Sequence, residues 1–258
     1  MLPRIDKTLY VVGDRFAGFA AHDDVRTLGG LSAEIRAGAY DDLYLELRGG
    51  QGMGAYEWRY LEEQMNRRGI RERVVVHHSR PTPAHRAEAH KHREPNVLVA
   101  NLGRRDDQLF EATMRLHGDN ELLLDHQTGL HVQGMVAVEA SRQMFLAVTE
   151  RYYTADEPVS RYFVIESIAT DFENFLFPMQ ARILYLIQSA ELEDPERLRF
   201  TARIDIEQAG RRCTRTEVAF TAFDAERLKE IERRRAARAL DHVLAVPDEQ
   251  LTVAGGVR

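Results

Sequence analysis

Three polar side chains interrupt the most apolar stretch of the sequence. Glu139, Arg142 and Gln143 stand at i, i+3 and i+4 inside residues 132–149, a run otherwise dominated by Met, Val, Ala, Leu and Phe. A helix there puts all three on one face. Polar groups on a core helix need partners, because each one left without a partner costs about 1–3 kcal/mol. Two arrangements meet that need. In one, Glu139 and Arg142 form a buried pair that ties the helix to its surroundings, which by itself says little about function. In the other, Glu139 is a carboxylate at the mouth of an apolar tunnel, tuned as a general base, and Arg142 holds an anionic group or that carboxylate. Asp125, His126 and His131 flank the start of the same helix. Each imidazole there is either catalytic or a capping and pairing group.

The elements that must position these residues follow from periodicity. After residue 95 the pattern reads strand (96–102), strand (108–116), the apolar helix, then four long alternating runs at 161–169, 180–187, 198–208 and 211–220. Phe200, Ala202, Ile204 and Ile206 show the period of two. A charged helix follows at 224–244, ending before Pro247. One helix that is apolar nearly all round has to be buried, and among long antiparallel strands it must be wrapped by them. That layout is a hotdog fold, a curved antiparallel sheet around one central helix. Residues 1–78 read differently. Runs at 8–13, 42–47 and 73–77 are strands, 31–37 and 55–68 are helices, and Gly69 sits where a helix-ending glycine belongs. Strand and helix in alternation predict a small α/β unit with parallel strands. Residues 79–94, with two prolines, many charges and almost no large apolar side chains, read as a linker. The expected organisation is therefore α+β: a small unit (1–78), a linker (79–94) and a hotdog domain with a C-terminal helix (95–258).

Asp125-His126, His131-Val132, Gly134-Met135 and Glu139-Ala140-x-Arg142-Gln143 resemble the motif of the A-factor biosynthesis (AfsA-like) hotdog family. That motif runs Asp-His-x-x-Asp-His-Val-Pro-Gly-Met and then Glu-Ala-x-Arg-Gln. His90-Lys91 followed by residues 96–100 resembles the family's opening strand and its His-Lys lead, and the likeness extends over about residues 88–225. Leu130 stands where the pattern has Asp, which removes a possible partner of His131, and Gln133 stands where it has Pro. The resemblance implies an acyltransferase. It would join a β-ketoacyl group, delivered as a thioester on an acyl carrier protein or coenzyme A, to a hydroxyl of a glycerol-type phosphate, on the way to a γ-butyrolactone-like signal or secondary metabolite. Glu139 would then be the base or a substrate-orienting group, Arg142 the anchor for the acceptor's phosphate, and His131 a further catalytic candidate. Backbone N–H groups near Gly134, at the positive end of the helix, would hold the thioester oxygen. Asp125, His126, Met135 and Gln143 would line the substrate site. No cofactor and no metal are implied. A dehydratase or thioesterase on acyl thioesters, or a non-catalytic acyl-binding module, fits the same motif. Full-size members of the family carry two packed hotdog units, whereas a single complete motif is present here. A lone hotdog leaves a sheet edge open, so a homodimer is expected, with its sites near the interface.

Other features bound the reading. Of 258 residues 44% are apolar and 29% charged, a globular balance that needs no disulfide or metal staples. Lys and Arg number 35 against 41 Asp and Glu, a net charge of −6 that argues against general nucleic-acid binding. No apolar run approaches the roughly 18 residues of a membrane helix. The first 13 residues lack a signal peptide's apolar region, so a cytoplasmic protein is expected. The single Cys213 excludes a disulfide framework and a cysteine-based zinc site; it reads as a small core residue. His77, His78, His85, His90 and His92 are too irregularly spaced for a metal site and read as a solvated or contact segment. The glycines at 49, 50, 52 and 54 lie between a strand and a helix, where anions bind, but they lack a phosphate-loop lysine; they are either a tight turn or a ligand loop. Arg227, Lys229, Arg233, Arg234, Arg235 and Arg238 form a basic stripe on an acidic chain. It is either a solvated face or a dock for an acidic carrier protein.

Overall fold

The computed structural model describes residues 4–77, 81–124, 129–155 and 160–245. Asp125, His126, His78 and Pro247 therefore lie outside the described residues.

The chain begins with β1 (Lys7–Val12), β2 (Val25–Thr27), α1 (Leu28–Ala37), β3 (Leu45–Gly49), α2 (Ala55–Arg68) and β4 (Val74–His77). The strands pair in parallel in the order β2-β1-β3-β4. Local sequence sets the ends of both helices. The Thr27 hydroxyl accepts the Gly30 N–H at the start of α1. Gly38 and Gly69 end α1 and α2 with φ of 82° and 75°, a region where side chains other than glycine are strained. Trp58, Leu61 and Met65 of α2 bury against Leu9, Val11, Leu45 and Leu47, forming a small core.

The larger part contains β5 (Val99–Arg104), β6 (Leu109–Met114), α3 (Glu121–Leu124), α4 (Gly134–Tyr152), β7 (Arg161–Phe172), β8 (Ala181–Glu191), β9 (Arg197–Gln208), β10 (Arg211–Asp224) and α5 (Ala225–Ala245). The six strands form one antiparallel sheet in the order β5-β6-β8-β9-β10-β7. α4 lies against five of them: β5, β6, β7, β8 and β10. Every residue from Gln143 to Thr149 is buried, as an apolar helix wrapped by a sheet requires. The fold is thus the expected mixed α+β architecture, a sheet around a central helix plus a small parallel unit.

Two features depart from the sequence reading. The three-residue β2 is too short to leave a periodic signal. Residues 81–94 are not a solvated tether: Ala84 and Ala89 are buried, and the segment is strapped along α4 by ion pairs from Lys91 to Glu139 and Glu88 to Arg151 and by a hydrogen bond between His90 and Glu150. The small unit is also welded to the sheet. Val12, Phe16, Phe19 and Val25 enter the core that surrounds α4. Gln51, buried, donates from its amide to the carbonyls of Met114 and Met179 and accepts the Leu116 N–H. The N–H groups of Gly50, Gln51 and Gly52 donate to Val11, Pro178 and Leu116. The N–H groups of Gln51 and Gly52 thus join the two parts, while that of Gly50 stays within the small unit.

Candidate functional site

Glu139 is where the helix and the preceding segment meet. Arg142 donates to its carboxylate through Nε (2.8 Å to Oε2) and Nη2 (3.1 Å to Oε1). Gln143 Nε2 lies 3.0 Å from Oε1, and Lys91 Nζ 2.7 Å from the same oxygen. Gln143, fully buried, also donates to the Asn96 carbonyl and accepts the Leu98 N–H at 2.7 Å. It therefore pins α4 to the chain leading into β5. Burial pushes the Glu139 carboxyl up, but Arg142, Lys91 and Gln143 outweigh it and hold the group down at about 2.

A group held in its ionised form takes up protons weakly, and general-base efficiency follows basicity. Of the two roles expected for Glu139, base or orienting group, this geometry favours the orienting one. Lys91, 48 residues upstream, was not singled out as a site residue; its only signal was the His-Lys pair ahead of a strand.

His131 and Gly134 belong to a different place. A cavity of about 380 Å³ opens at the N-terminal end of α4, lined by His131, Val132, Gln133, Gly134, Ala137, residues 172–176 and Thr214. Phe172, Phe175, Leu176, Val132 and Ala137 make most of the wall apolar. His131 is exposed at the rim, with its ring 4.9 Å from that of Phe175. Gly134 lets the Phe172 ring approach closely, since a Cβ there would sit 2.7 Å from that exposed ring and make it shift. Its N–H, at the first position of α4, has no acceptor within the helix. Gln133, where the family pattern has proline, donates to the Leu122 carbonyl, so the turn before α4 is fixed by a side chain.

The helix separates the predicted residues into two groups. At 100° per residue, Gly134 and Ala137 face β10 and the cavity, while Glu139 and Gln143 lie roughly opposite. Arg142 spends two of its donors on Glu139 and does not border the cavity. Met135 points outward and is exposed. Among the described residues no group of three or more His, Cys, Asp or Glu could hold a metal ion. No described helix is long and apolar enough to cross a membrane. A second cavity of about 480 Å³ lies between the small unit and the sheet, bordered by the glycines at 49, 50, 52 and 54 and by Trp58, Arg115 and His117; it takes in none of the candidate residues on or beside α4.

A sheet wrapped around a central helix, with a cavity at that helix's N-terminus, is a hotdog protein. The chain belongs to the A-factor biosynthesis hotdog domain family, whose model matches residues 75–224, more than half of it. No curated protein matches the chain. Similar solved structures include a mutant thioesterase from Pseudomonas aeruginosa (11% identity, covering 48% of this chain and 81% of that one, TM-score 0.37). Two others are a thioesterase from Haemophilus influenzae (13%, 49% and 78%, TM-score 0.37) and a mutant thioesterase from Staphylococcus aureus (9%, 48% and 92%, TM-score 0.37). The family match, rather than these distant structures, carries the assignment.

Proposed function

We propose that this protein acts on acyl thioesters and transfers the acyl group to a hydroxyl acceptor. The observation that carries the reading is the apolar cavity built against the N-terminal end of α4, which no N-cap side chain closes, with an imidazole at its rim. An acyl chain fits against Val132, Ala137, Phe172 and Leu176. The thioester oxygen would accept the Gly134 N–H, where the helix dipole favours developing negative charge. His131 is the base placed to take the proton of the attacking hydroxyl. As that oxygen bonds to the carbonyl carbon, the carbon–sulfur bond breaks and the thiolate of the carrier leaves with the proton. Glu139, Lys91 and Gln143 hold α4 in register and act as positioning residues. Arg142, bonded to Glu139 and away from the cavity, belongs with these positioning residues rather than at the acceptor's phosphate.

The donor in this reading is an acyl carrier protein or coenzyme A thioester, and the setting a cytoplasmic pathway to a γ-butyrolactone-like product. The basic α5, on which only Leu228 is buried, supplies the surface for an acidic carrier. A homodimer completes the assembly, with the cavity beside its interface, because Phe172 belongs to both the cavity wall and the open edge strand β7. Hydrolysis is the second reading, since the exposed His131 can equally activate water.

The test is product mass after incubation with a β-ketoacyl thioester and a glycerol-type phosphate. An ester whose formation falls at least tenfold in His131→Ala is expected. Free acid alone would mean a thioesterase, an enoyl product a dehydratase, and binding without turnover a non-catalytic module.

A further inference from the structure

Three buried side-chain polar atoms among the described residues have no hydrogen-bond partner: Tyr185 Oη, Arg199 Nε and Thr214 Oγ1. Only the last borders the cavity at the N-terminus of α4. Thr214 is 2% exposed and its hydroxyl has no partner, a state that disfavours the fold until a ligand supplies an acceptor. Its direction follows from β10. Thr216, two residues on and hence on the same face, donates to Ser141 of α4 at 3.3 Å. Thr214 therefore also faces the helix, one step nearer its N-terminus.

The surroundings hold it there. The register of β10 against β9 shifts between Arg212 and Thr214, which is a bulge. The carbonyl of Cys213, within that bulge, accepts the N–H groups of Glu173 and Asn174, which begin the opposite wall of the cavity. Regular alternation from Thr214 to Thr216 thus keeps the hydroxyl inward, and the irregularity just before it fixes the segment across from it. Val132, Ala137, Phe172, Phe175 and Leu176 offer the hydroxyl nothing to bond.

We propose that Thr214 is a specificity-determining residue: its hydroxyl donates a hydrogen bond to an oxygen carried along the acyl chain, so the cavity selects oxygen-bearing acyl groups over saturated ones. This rests on the acyl-thioester reading above. A saturated chain leaves the hydroxyl unpaired, whereas a keto or hydroxyl group on the chain satisfies it.

The experiment compares binding of three non-cleavable amide analogues of acyl-pantetheine, matched in chain length: saturated, 3-oxo and 3-hydroxy. The wild-type chain is expected to bind an oxygen-bearing analogue about tenfold more tightly than the saturated one. Thr214→Val, which replaces the hydroxyl with a methyl group of similar size, is expected to bring the ratio to within about twofold, and Thr214→Ser to retain it. Thr214→Val should also melt no lower than wild type, because it removes an unpaired buried group; a merely structural hydroxyl would give a lower melting point and an unchanged ratio. Binding of all three analogues without preference, or a preference that survives in Thr214→Val, overturns the assignment while leaving the acyl-thioester reading in place. Binding of none overturns both.

Discussion

At the scale of single residues the most informative group is the Glu139 carboxylate, which receives donors from Arg142, Gln143 and Lys91. Such a carboxylate is a fixed charge rather than a proton shuttle. Its carboxyl falls from 4.5 to about 2 on folding, so it binds protons less well folded than unfolded. The stability it contributes is fully present above pH 4.5 and is lost as pH falls from 4.5 towards 2. The amount is on the order of 3 kcal/mol. Glu139→Gln, followed by denaturant unfolding across this range, should lower stability at pH 7 by about 2–3 kcal/mol and flatten its decline below pH 4.5. A variant with the wild-type slope would show that the group is not held as described. The Glu139, Arg142 and Gln143 constellation was readable because helical spacing places i, i+3 and i+4 together. Lys91 was not, since its approach is a tertiary contact made by a segment whose composition resembles a tether. Thr214 was hidden for another reason: alternation marks it as inward, but not whether its hydroxyl finds a partner there, which depends on the tertiary surroundings.

Among the elements, β7 stands apart. It is twelve residues long and closes one end of the sheet, so one side of its backbone has no strand beside it. On the face it shares with Thr170, which meets Thr216 near α4, Ile165, Ile168 and Phe172 are all exposed. A long edge with apolar side chains invites pairing with another chain. A second copy meets that need with a closed two-fold contact. Light scattering at micromolar concentration is expected to show a dimer, and Ile168→Glu to convert it to a monomer. A monomeric wild type, or a dimer untouched by the substitution, would contradict this. The other elements were legible to differing degrees. The α4 helix and long stretches of the strands after it carry periods of 3.6 and 2 residues, interrupted in the sheet by bulges. The third strand of the small sheet, expected at 42–47, forms at Leu45–Gly49, because Leu45 and Leu47 bury on the sheet while Tyr44 stays exposed.

At the scale of the molecule, the sequence allowed two separable parts, and the structure joins them. Gln51 and the aromatic residues Phe16 and Phe19 make the small parallel unit a wall of the hotdog rather than an appended module. That union was illegible in the sequence: contacts between residues 51 and 114 or 179 leave no periodic trace, and a glycine cluster reads equally well as a turn or a ligand loop. One consequence is a cavity between the small unit and the sheet, distinct from the one at the N-terminus of α4. The functional account commits to the one at α4. Its most direct test is an acyl-pantetheine analogue bearing a photoreactive group on the chain, cross-linked to the wild-type protein and mapped by peptide mass spectrometry. The account predicts labels on Val132, Ala137 and residues 172–176; labels confined to Gly54, Trp58 and His117, or none that an unlabelled acyl thioester competes away, would contradict it.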